Sequence, residues 1–129
     1  MAQIKVYGLK ERLNPIKAQL SDLIHSCVVE ALQFPPGKRA HRFFPLERED
    51  FYYPAGRSEA YTIIEIALMS GRTVETKKKL ISLLYARTQN QLGLTAQDLE
   101  ISIIESPAHN WAFRGLPGDE VQLEYRIEV

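Results

Sequence analysis

The sequence is poor in several features that mark particular classes of protein. Its 129 residues contain one cysteine, Cys27, which excludes an internal disulfide and is typical of a reducing compartment. Sixteen basic and sixteen acidic side chains cancel, so no net charge attracts nucleic acid or an anionic membrane. No apolar run approaches the roughly 18 residues of a membrane span, and no apolar signal segment opens the chain. We expect a cytoplasmic protein without nucleic-acid or membrane partners.

Cofactor motifs are equally scarce. The three histidines, His25, His41 and His109, are too scattered for a metal site, and no glycine-rich phosphate loop is present. We therefore predict no metal and no cofactor. The length favours a single domain over residues 1–129.

The first half of the chain shows the pattern of a strand, a helix and a second strand. Ile4 and Val6 alternate with polar neighbours, which is the two-residue period of a half-buried strand. Apolar residues at spacings of three and four then predict a helix that begins at Asn14-Pro15. Phe34-Pro35-Pro36-Gly37 ends this helix, since neither proline can continue it, and His41–Leu46 is the next predicted strand.

The second half follows the same order. A predicted strand over Tyr61–Met69 precedes a helix that Thr73 caps and Gly93 ends, and a strand follows over Leu99–Ile104. A last strand is predicted at about residues 121–127. An offset of 60 residues aligns the halves, and the matched pairs are Ile4 with Ile64, Val6 with Ile66, Arg12 with Arg72, Leu20 with Leu80, Leu23 with Leu83, Leu32 with Leu92, His41 with Ile101 and Phe43 with Ile103.

Two such units in tandem predict an α+β fold of two layers. Each helix is long enough to cross back over the sheet, which makes its flanking strands parallel. Two β-α-β repeats, at about 2–46 and 61–105, then share one mixed sheet with both helices on one face, and residues 106–129 extend the domain. Residues 63–68 look apolar on both faces of their strand, so we expect other subunits to cover the bare sheet face.

These features together resemble the tautomerase superfamily, the group of 4-oxalocrotonate tautomerase, macrophage migration inhibitory factor and malonate semialdehyde decarboxylase. They are a strand that starts at the second residue, two β-α-β units in pseudo-twofold relation, and a bare sheet face. Arg72-Thr73 at the start of the second helix and Asn110-Trp111-Ala112-Phe113-Arg114-Gly115 are most similar to the decarboxylase branch. The resemblance implies a homotrimer whose active sites lie near the start of the first strand.

The resemblance also implies a reagent, an N-terminal proline that is exposed when the initiator methionine is removed and that acts as a general base or acid. The matching residue here is Ala2, so the reagent would be a primary amine, which can also form a Schiff base. An α-amine has an ordinary pKa of about 7.7–8.0, and an apolar pocket or a nearby cation lowers it toward neutrality. Ala2 is therefore the predicted catalytic residue, provided that Met1 is removed.

Basic and aromatic residues supply the predicted binding site for a small carboxylate. Arg72 matches an arginine that holds the substrate carboxylate in the decarboxylase branch; the alternative is a solvated loop arginine like Arg12. Arg39 is placed like a carboxylate-binding arginine of 4-oxalocrotonate tautomerase; the alternative is an ordinary basic loop. Trp111 and Phe113 match aromatic residues that exclude water from the pocket, and they could equally pack in the core or at a trimer contact. Two further polar candidates complete the set: His41 and Arg114. The alternatives are an ordinary basic loop for His41 and a surface position for Arg114.

Two departures from the decarboxylase branch favour proton transfer over decarboxylation. That branch has a basic residue where this chain has Ser70 and an aspartate where it has Arg39. The predicted activity is therefore keto-enol tautomerisation of a small α-keto or enol carboxylate. The alternative is a binding or assembly protein of the same fold that has lost the chemistry. The segment Glu49–Pro54, with its three consecutive aromatic residues, is expected either to brace a neighbouring subunit or to close over the pocket.

Overall fold

The sheet has four strands, and their order defines the fold. The computed structural model describes residues 2–129, and its strands are β1 (Ala2–Leu9), β2 (His41–Leu46), β3 (Thr62–Met69) and β4 (Leu99–Ser106). The order across the sheet is β2-β1-β3-β4. β1 is parallel to β2, β3 is parallel to β4, and the central pair is antiparallel. The predicted mixed sheet of two tandem β-α-β units is therefore confirmed.

Two long helices cover one face of this sheet. A single turn, α1 (Lys10–Leu13), precedes α2 (Lys17–Leu32), and α3 (Val74–Leu92) joins β3 to β4. Alternate residues of the central strands, among them Ile4 and Ile66, are buried in one core with both helices. The two-layer α+β class is thus confirmed. No helix in the part of the chain that the structure describes has the length and apolarity to span a membrane.

The other elements are short and lie in the connections. Three single turns of 3₁₀ helix span Arg48–Asp50, Ala96–Asp98 and Ala108–Asn110. A small hairpin follows β4 and consists of β5 (Ala112–Phe113) and β6 (Leu116–Pro117). This hairpin carries Phe113, and Trp111 directly precedes it, so both predicted pocket aromatics follow β4 closely in the chain.

The register of the sheet shows how the two repeats are related. Ile4 pairs with Ile66 and Val6 with Ile64, so applying the offset of 60 residues to one pair gives the other. The same offset relates the register of β1 on β2 to that of β3 on β4. A pseudo-twofold axis therefore passes between the midpoints of β1 and β3, and it relates the two ends of the sheet.

The start of the first long helix differs from the prediction, which placed it at Asn14-Pro15. The N–H of Asn14 instead donates to Lys10 O (3.0 Å), so Asn14 closes the turn α1 and α2 begins only at Lys17. Asn14 takes helical φ and ψ angles (−55° and −43°), whereas an N-cap residue is extended, so its side chain does not cap α2. The second helix ends as predicted: the side chain of Thr73 accepts from a first-turn N–H, and Gly93 is left-handed with a φ of 67°.

The prediction of a last strand over residues 121–127 is wrong. These residues pair with no strand within residues 2–129, although their apolar side chains alternate as in a strand. The tail instead packs at the start of α3, where Ile127 is buried and the N–H of Thr73 donates to Val129 O (3.1 Å). A two-residue period predicts which side chains turn inward, but it does not supply a partner strand.

The sheet face opposite the helices is mixed in character. At its centre the Tyr7 hydroxyl donates to Glu65 (2.7 Å), and the Tyr7 ring stacks on Phe44 with centroids 4.8 Å apart. Near one edge, Ile104 is 59% exposed. The expectation of a strand that is apolar on both faces is therefore wrong at Glu65. The uncovered face presents polar as well as apolar groups.

The segment Glu49–Pro54 packs in part on its own chain. Phe51 and Tyr53 each lie with ring centroids less than 6 Å from Tyr61, at 5.8 and 5.6 Å. These three residues form a small cluster apart from the main core. Tyr52 is 90% exposed. One of the three consecutive aromatics is therefore presented at the surface, while the other two stabilise the segment itself.

Candidate functional site

The candidate site lies at the end of the sheet where β1 begins and β3 ends. Because β1 and β3 are antiparallel, Ala2 lies opposite Leu68 near the end of β3. The N–H of Ile4 donates to Ala40 O (3.0 Å), which holds the segment before β2 at the same end. Ala2 and residues 37–40 line a cavity of about 180 Å³. The fold therefore places the first residue of β1 beside a small pocket and next to a basic segment.

Arg39 lines this cavity together with Ala2, and its guanidinium already has partners. Nη1 donates to Asp22 Oδ1 (2.7 Å) and to Ser21 Oγ (3.3 Å). Both members of the pair with Asp22 are exposed, and such surface pairs contribute only about 0–1 kcal/mol. Arg39 can therefore exchange Asp22 for another carboxylate at little cost.

Arg72 lies just beyond the end of β3 and is the most deeply buried cation of the site. Only 5% of the residue is exposed. Its Nη1 donates to Met69 O (2.9 Å), and the guanidinium carbon lies 5.5 Å from the centroid of the Phe34 ring. Nε and Nη2 are buried and have no hydrogen-bond partner within residues 2–129. Burial lowers the pKa of Arg72, which is the signature of a charge removed from water without a full set of partners.

The C-terminal tail covers this arginine. Tyr125 packs on Phe34 with ring centroids 4.7 Å apart, and burial raises the pKa of its hydroxyl although the charge of Arg72 opposes the change. The backbone of the tail is joined to α3 through the bond from Thr73 to Val129 described above. Arg72 therefore lies against the aromatic residue that follows α2, and the tail packs on that residue in turn. Solvent reaches Arg72 poorly.

The loop between β3 and α3 is shaped by Gly71. Its φ of 141° lies in a region that residues with a side chain rarely adopt, and a Cβ placed there would lie 2.7 Å from Cγ2 of Ile127. The tail can therefore approach the loop only because this position has no side chain. The capping threonine two residues later then starts α3, and this fixes the position of Arg72 between the glycine and the cap.

Trp111 lies near the side chain of Met69, the residue whose carbonyl accepts from Arg72. Both Trp111 and Met69 border Gly118, where an added Cβ would lie 3.0 Å from Trp111 Cβ and 3.2 Å from Met69 Cε. The indole Nε1 is buried and has no hydrogen-bond partner among the residues from Ala2 onward. Phe113 is half-buried in the hairpin, and Arg114 lies over its ring at 5.6 Å. Trp111 thus borders the Arg72 end of the site, whereas Phe113 and Arg114 contact each other.

His41 lies behind Arg39. Its Nδ1 and Ser21 Oγ form a hydrogen bond of 2.8 Å, and the same hydroxyl accepts from Arg39. The His25 ring meets the His41 ring edge-on at 6.2 Å. Burial, followed by the charges of Arg39 and His25, lowers the pKa of His41 to about 4. His41 is therefore neutral at pH 7, and it positions Ser21 and Arg39 from behind.

The structure groups the predicted residues in two places at one end of the sheet. Ala2 and Arg39 share the cavity, while Arg72 and Trp111 both adjoin Met69. Sequence patterns did not identify two further contributors, Phe34 and Tyr125. Phe34 follows a helix end and Tyr125 lies in a predicted strand, so nothing in the local pattern distinguishes them from ordinary core residues.

Comparison with known proteins gives one family and several relatives. The family described as "Tautomerase enzyme" matches residues 38–114, which is more than half of the chain. Probable tautomerase YrdN of Bacillus subtilis (strain 168) is 29% identical over 100 residues, or 74% of this chain and 77% of that protein. Probable tautomerase RSp0893 of Ralstonia nicotianae is 34% identical over 55 residues, or 43% of this chain and 79% of that protein.

Solved structures show the same fold. Malonate semialdehyde decarboxylase superposes with a TM-score of 0.76 at 19% identity, covering 86% of this chain and 89% of that one. A fused 4-OT, solved as an asymmetric trimer, superposes with a TM-score of 0.79 at 21% identity, covering 91% and 96%. At these identities the likeness concerns the fold alone.

Proposed function

The chain belongs to the tautomerase family, and from this we propose that it transfers a proton on a small α-keto or enol carboxylate. The site is the end of the sheet that holds Ala2, Arg39 and Arg72. One observation carries the proposal: Arg72 is almost fully buried, yet two of its N–H groups lack a partner within residues 2–129. A buried guanidinium in this state favours an anion that completes its hydrogen bonds.

In this proposal Arg72 holds the substrate carboxylate. A guanidinium offers parallel N–H donors that match the two oxygens of a carboxylate, and such charge-assisted bonds are about twice as strong as neutral ones. Nε and Nη2 are the donors that remain, since Nη1 is bonded to Met69 O. The low local dielectric around a buried pair strengthens the attraction further. The tail over Arg72 has no strand pairing among residues 2–129, so it can shift without breaking sheet hydrogen bonds.

The proposed acid and base is the α-amine of Ala2, exposed by removal of Met1. Ala2 is buried at the edge of a cavity that Arg39 also lines, and burial favours the neutral amine that can accept a proton. A neutral amine takes the proton from one carbon or oxygen of the substrate and returns it to another, and a positioned group of this kind contributes about 10²–10⁴-fold in rate. Arg39 supplies a second positive charge near the developing enolate.

Aromatic side chains are proposed to exclude water from the reaction. Phe34, Tyr125 and Trp111 surround the Arg72 end of the site, and Phe113 lies in the adjoining hairpin. A site without water keeps the amine neutral and strengthens the bond to the carboxylate. Side chains from three separate segments would thus serve one purpose.

Kinetics of phenylenolpyruvate ketonisation tests the proposal. The wild type is expected to exceed the uncatalysed rate, and Arg72→Ala is expected to lower kcat/KM about 10- to 100-fold, because charged hydrogen bonds contribute about 1.5–3 kcal/mol. Arg72→Lys is the matched variant, since it keeps the positive charge but loses the planar pair of N–H donors. Its kcat/KM should fall between those of the wild type and Arg72→Ala. Equal background rates in the wild type and Arg72→Ala would refute the activity and leave a binding protein. Circular dichroism of each variant confirms that it is folded.

We also propose that the protein assembles as a homotrimer through its uncovered sheet face. This face carries the Tyr7–Phe44 stack and the exposed Ile104, together with polar groups that suit contact between subunits. The fused 4-OT of the same fold is a trimer in its solved structure. Light scattering should give three times the mass of the chain, and a monomeric mass would refute the assembly.

We also propose the single domain that the length favours and the cytoplasmic location that the composition suggests.

A further inference from the structure

The opposite end of the sheet holds a second cavity, of about 110 Å³. It lies where β1 ends and β3 begins, and the end of α3 closes it. Residues that line it include Leu9, Arg12, Thr62 and Leu94. At the offset of 60 residues these are the equivalents of Met69, Arg72, Ala2 and Phe34. The cavity is therefore the pseudo-twofold counterpart of the Arg72 end of the site, and with the cavity at Arg39 it shares only the equivalence of Thr62 with Ala2.

Arg12 is the only charged residue that lines this cavity, and its guanidinium is not engaged elsewhere. Within residues 2–129 it forms no hydrogen bond and no ion pair. Arg48 chiefly lowers the pKa of Glu59, and hydrogen bonds from Ser58 lower the pKa of Asp98 against the effect of its burial. The charge of Arg12 makes only a smaller contribution to each. Glu59 accepts from Arg48 (2.7 Å), and Asp98 accepts from the N–H and the hydroxyl of Ser58 (2.7 and 2.6 Å). The donors of Arg12 thus remain available to a ligand.

Most of the other residues that line the cavity have apolar side chains. Leu13, Ile16 and Leu92 join the two leucines named above, and the hydroxyl of Thr62 is occupied by Ala60 O (2.8 Å). An apolar cavity of about 150 Å³ admits a benzene molecule, so this smaller one admits a short aliphatic chain. One cation beside an apolar cavity suits a ligand with one negative charge and a hydrocarbon end.

We propose that this cavity binds a short aliphatic monocarboxylate, with the carboxylate on Arg12 and the hydrocarbon chain among the leucines. We expect binding but no reaction at this site. Thr62 is the equivalent of Ala2, but it lies within the chain, so its nitrogen is a peptide N–H and not a free amine. The inference rests on the cavity and on Arg12, and it does not depend on the activity proposed at Ala2.

Titration of the ¹⁵N-labelled full chain with sodium propionate tests the proposal by NMR. Saturable shifts are expected for the amides of Gly8, Gly93 and Leu94, which border the cavity. Propionamide has nearly the same shape without the charge, and it should leave these amides unchanged. Arg12→Ala should weaken propionate binding about 10- to 100-fold, while Arg72→Ala should retain the shifts at Gly93 and Leu94. Arg12 is exposed, so its replacement leaves the core intact.

The second site would be overturned by the absence of saturable shifts at Gly93 and Leu94, by an equal response to propionamide, or by unchanged affinity in Arg12→Ala. Shifts confined to Ala40 and Leu68 would also overturn it, and would place propionate at the first site alone. The rate of phenylenolpyruvate ketonisation is a separate readout, so failure of this proposal is distinguishable from failure of the proposed activity.

Discussion

The two ends of the sheet share one plan and differ in what surrounds the arginine. Arg72 packs against Phe34, on which Tyr125 lies, and two of its buried nitrogens have no partner within residues 2–129, whereas Arg12 is exposed beside a cavity with several leucines. The difference follows from what each repeat is joined to: the tail packs at the start of α3 next to Arg72, whereas residues 60–62 line the cavity next to Arg12. The duplicated fold therefore places an arginine at equivalent positions at the two ends of the sheet, and the segments that follow each repeat give the two arginines different surroundings.

The largest effect should come from the core that the two halves share. Leu20 and Leu80 occupy equivalent positions on α2 and α3, and both have 0% exposure. Replacement of either by alanine should lower the free energy of unfolding by about 2–5 kcal/mol, because each leaves a cavity in one continuous core. Urea denaturation measures the free energy of unfolding of both variants. Lys79→Ala, at an exposed position, is the control and should change this free energy by less than about 0.5 kcal/mol. A large cost in one half and a negligible one in the other would show that the halves are not packed equivalently.

The next largest effect should be a dependence of stability on pH that comes from one half of the chain only. His41 has a pKa of about 4 in the folded chain against an ordinary 6.5, and the equivalent position of the second half is Ile101. The unfolded chain therefore binds more protons between these values, so stability rises with pH across this window and is lost as the pH falls from 6.5 toward 4. Allowing for partial exposure, His41 should account for on the order of 1–2 kcal/mol.

Urea denaturation of the wild type and of His41→Gln at pH 7.5 and pH 4.5 isolates the contribution of His41, because the two proteins have the same carboxylates. The difference in stability between the two pH values should be smaller in the variant. His109→Gln, which replaces a histidine at an exposed position, is the control. Parallel curves for the wild type and His41→Gln would contradict the burial of a neutral His41.

The smallest effect concerns how the two helices begin. Thr73 caps α3 with its side chain, so Thr73→Ala should lower the stability by about 1 kcal/mol. The start of α2 has no side-chain cap, and Asn14→Ala should therefore change the stability by less than about 0.5 kcal/mol. Thermal unfolding monitored by circular dichroism measures both. A larger loss in Asn14→Ala than in Thr73→Ala would reverse this part of the comparison.

Periodicity predicted the parts of the fold that depend on local rules. The strands around Ile4 and Ile66, the caps at Thr73 and Gly93, and the offset between the halves are visible in the chain because each depends on neighbours in sequence or on the repeat itself. Asn14 failed because a cap and a turn compete for the same groups, and the outcome depends on the turn before it. The residues over Arg72 could not be predicted, since Phe34 and Tyr125 meet it only through tertiary contacts.

The sequence suggested candidate residues but could not predict how they are arranged. Ala2, Arg39 and Arg72 do lie at one end of the sheet, yet only the structure shows Arg39 paired with Asp22 and Arg72 without a full set of partners. Burial and unsatisfied donors arise from segments that are distant in sequence. They are the features that separate a site from an ordinary surface arginine.

The central claim is that the reactive end of the sheet is the one with a free amine at Ala2. Treatment of the purified native protein with pyruvate and borohydride, followed by peptide mapping, tests it most directly, since an amine and a ketone form an imine with loss of water and borohydride reduces it to a stable amine. The account predicts an N-terminal peptide that begins at Ala2 and carries the adduct on its α-nitrogen. A peptide that begins at Met1, or an unmodified Ala2 with adducts on lysines only, would contradict it.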